Sequence, residues 1–132
     1  MATLTFKGGI HPYDGKELTK DKPIRNVLPK GDLVYPMQQH IGAPAKPVVK
    51  KGDRVLAGQK IAEAGAFVSA PVYATVSGTV KAIEPRRVVT GEKVMSIVVE
   101  NDELYEETEA WEPLDEKKAS REEIIGRIKE AG

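Results

Sequence analysis

Val49-Lys50-Lys51-Gly52-Asp53-Arg54-Val55-Leu56-Ala57-Gly58-Gln59-Lys60-Ile61, continued by Ser69-Ala70-Pro71-Val72-Tyr73-Ala74-Thr75-Val76-Ser77-Gly78-Thr79-Val80-Lys81-Ala82-Ile83, alternates short apolar runs with turn residues. The same rhythm extends from Leu33 to Glu100. Its β-type runs are Leu33–Tyr35, Pro47–Lys50, Arg54–Leu56, Lys60–Ala64, Phe67–Ser69, Thr79–Glu84, Arg87–Val89 and Val94–Glu100. Turn signals separate them: Lys51-Gly52-Asp53, Ala57-Gly58, Ala64-Gly65, Ser77-Gly78 and Thr90-Gly91. Many short strands at close spacing predict a small, mainly β sandwich or barrel.

The two quoted stretches resemble the opening and second halves of a lipoyl- or biotinyl-carrier domain. That resemblance implies a flattened sandwich of the barrel-sandwich-hybrid type. In such domains the modified lysine sits at a hairpin tip between the halves, where its prosthetic arm can swing. The corresponding stretch here is Glu63-Ala64-Gly65-Ala66-Phe67-Val68, which holds no lysine. Lys60 and Lys81 flank it but fall within predicted strands, so covalent lipoylation or biotinylation is not expected.

An internal echo accompanies this pattern. Arg54–Ile61 matches Arg87–Val94 at a constant offset of 33 residues, with four of eight positions identical. It suggests two strand–turn–strand units packed face to face, each covering the apolar face that the other would leave exposed.

Either side of residues 33–100 the pattern breaks down. Residues 1–32 are rich in Gly, Pro, Asp and Lys and read as an irregular arm. Pro12, Pro23 and Pro29 discourage long helices there. Residues 101–119 carry a run of carboxylates and then Pro113, and read as an acidic linker that Trp111 and Leu114 could pin to the sandwich. Ser120-Arg121-Glu122-Glu123 has the form of a capping box. Ile124, Ile125, Ile128 and Ala131 follow at helical spacing, so residues 120–132 are expected to form an amphipathic helix.

Composition narrows the chemistry. The chain has 132 residues, enough for one compact domain with appendages. Lysine plus arginine balances aspartate plus glutamate, 20 against 20, so no basic excess points to nucleic acid. The absence of cysteine excludes disulfides, thiolate nucleophiles and cysteine-held iron–sulfur clusters within these residues. No apolar run approaches the roughly 20 residues of a bilayer-spanning helix, so direct membrane insertion is not expected. No Walker or G-x-G-x-x-G sequence occurs, and Gly8-Gly9 precedes no helical pattern. No catalytic, cofactor-binding or metal-ligating residue is identified.

Two histidines remain. His11 lies in Gly8-Gly9-Ile10-His11-Pro12, and His40 in Gln38-Gln39-His40-Ile41-Gly42-Ala43-Pro44. Either imidazole could serve as a base or ligand. Without a matching carboxylate motif, hydrogen bonding that fixes a loop is the simpler role. Their loops are also the candidate partner-docking surfaces.

Phe6-Lys7-Gly8-Gly9-Ile10-His11-Pro12, Lys16-Glu17-Leu18-Thr19 and Gln39-His40-Ile41-Gly42-Ala43-Pro44-Ala45 resemble the N-terminal region of the C subunit of the Rnf electron-transport complex. The carrier-like segment and Ile97-Val98-Val99-Glu100-Asn101-Asp102 continue the likeness. It implies a scaffold or docking domain of a peripheral, NADH-oxidising subunit in a membrane-bound, ion-translocating NAD–ferredoxin oxidoreductase. In that family the full-length protein holds FMN, NADH and two [4Fe–4S] clusters. The helix at residues 120–132 would then open a flavin- and NADH-binding domain cut short here. The implied partners are the other Rnf subunits and the rest of the same chain, with no nucleic acid. The implied location is cytoplasmic, peripheral to the inner membrane through partner subunits. Two alternatives stand beside this reading: a free lipoyl or biotin carrier, and the N-terminal region of a cobalamin-reductase-type flavoprotein. The chain by itself is not expected to be an enzyme.

Overall fold

The computed structural model describes Gly8 and residues 12–132. Among the described residues seven strands form two sheets, followed by one α-helix. The strands are β1 (Asp32–Pro36), β2 (Lys46–Pro47), β3 (Arg54–Val55), β4 (Lys60–Glu63), β5 (Val72–Tyr73), β6 (Gly78–Arg87) and β7 (Lys93–Asn101). The first sheet has the order β1-β7-β6-β3 and the second β2-β4-β5, with every pairing antiparallel. The expectation of a mainly β sandwich with one C-terminal helix is met.

The core lies between the sheets. Val55, Ile61, Val76, Val80, Ile97 and Val99 are fully buried, with Tyr35, Met37, Ala45, Val49, Ala62, Val72 and Ala74 around them. Burying each large aliphatic side chain contributes about 1.5–3 kcal/mol. β-branched residues dominate because they suit a pleated, half-covered surface.

β6 and β7 form a long hairpin, broken by a register shift between Val80 and Ala82. Val80 pairs with Val99, Ala82 with Val98, and Lys81 is the extra residue. Such a bulge bends the strand and tightens its twist. Lys81 reaches across β7 to Asp32 on the edge strand β1, with Nζ 2.8 Å from Oδ2.

Some local expectations change. Phe67–Ser69 is a loop, because the Val68 carbonyl bonds to another loop rather than to a strand. Arg87 ends β6, and Val88 and Val89 enter the turn, so Arg87–Val89 is not a separate strand. Val72–Tyr73 is a short strand absent from the predicted runs. The internal echo does not mark two equivalent units. Its first copy passes from β3 in one sheet to β4 in the other, whereas its second joins β6 and β7 within one sheet.

The acidic segment is stitched to the sandwich at its start. Ala57 pairs with Glu107 in a parallel bridge, with Ala57 N–H donating to the Glu106 carbonyl and Thr108 N–H to the Ala57 carbonyl. Buried Ser77 donates its hydroxyl to Asp102 Oδ1 at 2.6 Å and accepts from Glu106 N–H at 3.0 Å. Arg54 closes the network. Nη2 donates to Glu106 Oε2 at 2.8 Å, and Nη1 lies 2.8 Å from Asp102 Oδ2 as an ion pair without aligned hydrogen-bond geometry.

The helix α1 (Arg121–Ala131) begins at the predicted box. Ser120 Oγ accepts from Glu123 N–H, and Ser120 N–H donates to the Glu123 carboxylate. Its far end rests on the second sheet. Glu130 pairs with Lys60 of β4, and the Tyr73 hydroxyl of β5 donates to the Glu130 carbonyl. Trp111 meets Tyr73 edge-on at 5.9 Å, and the Arg127 guanidinium stands 5.2 Å from the Trp111 ring centre. Cation–π contact and helix docking thus meet on one indole. No α1 residue is fully buried, and Ile125 and Ile128 remain exposed.

Candidate docking site at the His40 loop

The loop after β1 is organised by its own side chains. Gln38 Nε2 donates to the His40 carbonyl at 2.6 Å and to the Gly42 carbonyl at 3.2 Å. Gln39 Nε2 donates to the Pro36 carbonyl at 2.9 Å. Met37 is buried, and its N–H and carbonyl tie the loop's base to Met95 and Ala45. Two amides in sequence therefore supply donors that a strand partner would otherwise provide.

This loop seizes the place where a carrier domain presents its lysine. Ala43 N–H donates to the Val68 carbonyl at 2.9 Å. Ala70 N–H donates to His40 Nε2 at 3.2 Å, while His40 Nδ1 lies 2.9 Å from the Ile41 carbonyl. With Nε2 accepting, Nδ1 carries the proton and donates, which fixes the neutral tautomer. Within the captured loop, Gly65 N–H donates to Ser69 Oγ at 2.9 Å.

Two glycines permit this contact. Gly42 has φ +94°, and a Cβ there would overlap the Val68 carbonyl. A Cβ on Gly65 would overlap the Pro44 carbonyl. Both backbones approach more closely than a side chain allows. The motif Gly42-Ala43-Pro44 and the lysine-free tip Glu63–Val68 are thus two halves of one contact.

His40 stands between two recesses. Tyr35, Gln39, Ala70, Pro71, Tyr73 and Thr75 border the first, of about 300 Å³. The second, of about 420 Å³, runs between Gln38–Ile41 and the β6–β7 turn, at Val88, Val89, Thr90 and Glu92. Its rim carries Ile41, 86% exposed, and Val89, fully exposed. Phe67, 92% exposed, and Val68 extend the apolar surface on the other flank. Exposed apolar groups thus gather around the His40 loop, which makes it the candidate docking site of the described residues.

His11, the other sequence-based candidate, lies outside the described residues. The exposed pair Val89 and Phe67 carried no motif in the sequence. Only the fold brings their turns beside His40.

Cofactor chemistry finds little here. Among the described residues there is no group of three or more His, Asp or Glu placed to hold a metal ion, and the chain has no cysteine to hold a cluster. The N-terminus of α1 is closed by its own capping box and carries Glu122 and Glu123, so it would repel a nucleotide phosphate. Lys60 and Lys81, nearest the carrier position, are both on strands and ion-paired. A cysteine-held iron–sulfur cluster therefore does not fit these residues, and the N-terminus of α1 does not fit a nucleotide phosphate. No described helix is long and apolar enough to cross a membrane.

Comparison with known proteins agrees with this architecture. Residues 4–104 match the model of the RnfC barrel sandwich hybrid domain. The chain is 50% identical to the C subunit of the Na(+)-translocating ferredoxin:NAD(+) oxidoreductase complex of Acetobacterium woodii, over 76% of this chain and 23% of that protein. It is 45% identical to the proton-translocating counterpart of Clostridium ljungdahlii, over 97% of this chain and 28% of that protein. It is also 36% identical to the C subunit of the ion-translocating oxidoreductase complex of Vibrio cholerae, over 96% of this chain and 17% of that protein. The chain thus spans only 17% to 28% of the length of these relatives. With its sandwich, its single helix and a matched segment covering most of its length, the chain belongs to the RnfC barrel sandwich hybrid domain family.

Proposed function

We propose that this chain serves as the N-terminal scaffold and docking domain of a peripheral, NADH-oxidising subunit in a membrane-bound, ion-translocating electron-transport complex. The observation that carries this reading is the captured tip. A carrier domain needs a free hairpin with a lysine. Here that position lacks lysine and is bonded to Ala43 and His40. A tip held in this way cannot shuttle a group between sites, so the fold holds parts in place.

In this reading FMN, NADH and two [4Fe–4S] clusters belong to the remainder of a longer subunit. Residues 1–32 act as an arm, 33–100 as the scaffold, 101–119 as an acidic connection and 120–132 as the entry to a flavin domain. The docking surface is the His40 loop with the recess toward Val89; His11 joins it on sequence grounds. Partner subunits hold the domain at the cytoplasmic face of the membrane.

Co-purification of the complex from cells carrying a tagged partner subunit tests this. The protein that bears this chain should be retained, and replacing Ile41 and Val89 by aspartate should weaken retention at least tenfold. The isolated chain should be colourless and inert toward NADH. Undiminished retention of the double variant would remove the docking surface, and a flavin-bearing isolated chain would remove the division of labour.

A further inference from the structure

A second surface stands apart from the His40 loop. Lys20-Asp21-Lys22-Pro23-Ile24-Arg25-Asn26-Val27-Leu28-Pro29-Lys30 runs ahead of β1, without regular structure from Pro23 to Lys30. Its far end is fixed, because the Pro29 carbonyl accepts from Asn101 Nδ2 at 2.7 Å and from the Tyr105 hydroxyl at 2.8 Å. Its apolar residues are nevertheless displayed: Ile24 is 99% exposed, Val27 84% and Leu28 60%. Clustered large aliphatic groups left in water are the signature of an unfilled interface.

Charge states what would fill it. This stretch holds Lys20, Lys22, Arg25 and Lys30 against one carboxylate, Asp21, in a chain whose total charge is balanced. Among the described residues none of these four cations takes part in an ion pair. Pro23 and Pro29 preset an extended backbone, which lowers the entropy lost on binding. They also oppose the continuous amphipathic helix that peripheral membrane segments use.

We infer that residues 20–30 are a docking peptide, received by a protein surface with an apolar groove for Ile24, Val27 and Leu28 and a carboxylate rim for the flanking cations. The inference rests on the reading that this chain works inside a multisubunit complex, and it places the receiving groove on a neighbouring subunit. The chain has an acidic recess of its own, floored by Ala57, Gly58, Ala110 and Trp111 and edged by Glu107 and Glu109. Arg127, stacked on Trp111, sets a cation at its edge and disfavours a basic peptide there.

Photo-crosslinking within the assembled complex tests this. A photoreactive residue placed at Ile24 or Val27 should cross-link to one peptide of another subunit that combines apolar residues with aspartate or glutamate. The same group at exposed Lys51 should not. Replacing Ile24, Val27 and Leu28 together by aspartate should lower retention in the complex at least tenfold and leave the circular dichroism of the isolated domain unchanged. Cross-links to lipid, to residues 107–111 of the same chain, or at no higher yield than from Lys51 would overturn the proposal. If the triple variant is retained like the unsubstituted protein, the role of the arm fails alone. If the unsubstituted protein is itself absent from the complex, the broader reading fails, and the arm proposal falls with it.

Discussion

Two loops border the His40 loop, and they are built in opposite ways. The loop at residues 64–71 is held from outside, by bonds from Ala43 to Val68 and from Ala70 to His40. The turn at residues 88–92 is held by bonds within the hairpin, Val88 N–H to the Glu92 carbonyl and Gly91 N–H to the Val88 carbonyl. The first has lost the freedom that a carrier tip requires. The second projects Val89 into solvent with little tertiary support. The backbone of the first loop is therefore committed to the fold, with Phe67 displayed from it, while the second is a free turn that presents Val89.

The sharpest way to break that contrast is Gly42→Ala. The new Cβ would meet the Val68 carbonyl in a backbone conformation that alanine resists. A loss of about 3 kcal/mol or more is expected in urea denaturation. A change under about 0.5 kcal/mol would show that the 64–71 loop is not held as described. His40→Ala should have the next largest effect. It leaves the Ala70 N–H without an acceptor and should cost about 1–2 kcal/mol, with faster hydrogen exchange at Ala70. Equal protection in both proteins would sever His40 from the loop.

Acid probes a third region, the Asp102 network, which lies outside both loops. The Asp102 carboxyl is held below its usual range by the Ser77 hydroxyl, then by Leu104 N–H and the Arg54 guanidinium. A lowered folded-state value means that this stabilisation is complete above about pH 4 and fades as pH falls further. Stability should decline over that window, and Asp102→Asn should flatten the decline. An unchanged slope in the variant would place the acid sensitivity elsewhere. The smallest effect is expected from Val89→Ser, whose stability should match the parent within about 0.5 kcal/mol in thermal denaturation. A larger loss would mean that the 88–92 turn is structural after all.

Much of the sandwich was legible because alternation and Gly-containing turns act locally. The runs at Leu33–Tyr35, Arg54–Leu56, Lys60–Ala64 and Val94–Glu100 all overlap observed strands. The capping box at Ser120 was equally local and reappears intact. Phe67–Ser69 misled because apolar, β-prone residues form a strand only when a neighbour pairs with them, and here the neighbour is a loop. Val72–Tyr73 escaped because the strand is only two residues long, too short for alternation to show. For His40, the glutamine-rich loop hinted at hydrogen bonding, but its partner Ala70 lies 30 positions away. Distant pairing of that kind leaves no periodic trace.

The bulge at Lys81 has a consequence of parity. Before it, alternate residues of β6 point inward, ending with Val80; beyond it the count slips by one, and Ile83 rather than Ala82 pairs across to core residue Ile97. Lys81 acts as a frameshift written in geometry. Pairing Lys81 in regular register, without the bulge, would set Ala82 rather than Ile83 opposite Ile97 and turn Ile83 to the other face, whereas deleting Lys81 would straighten the strand and keep Ile83 inward. The bulge, by leaving one residue out of the ladder, therefore keeps the outer hairpin in step with the core.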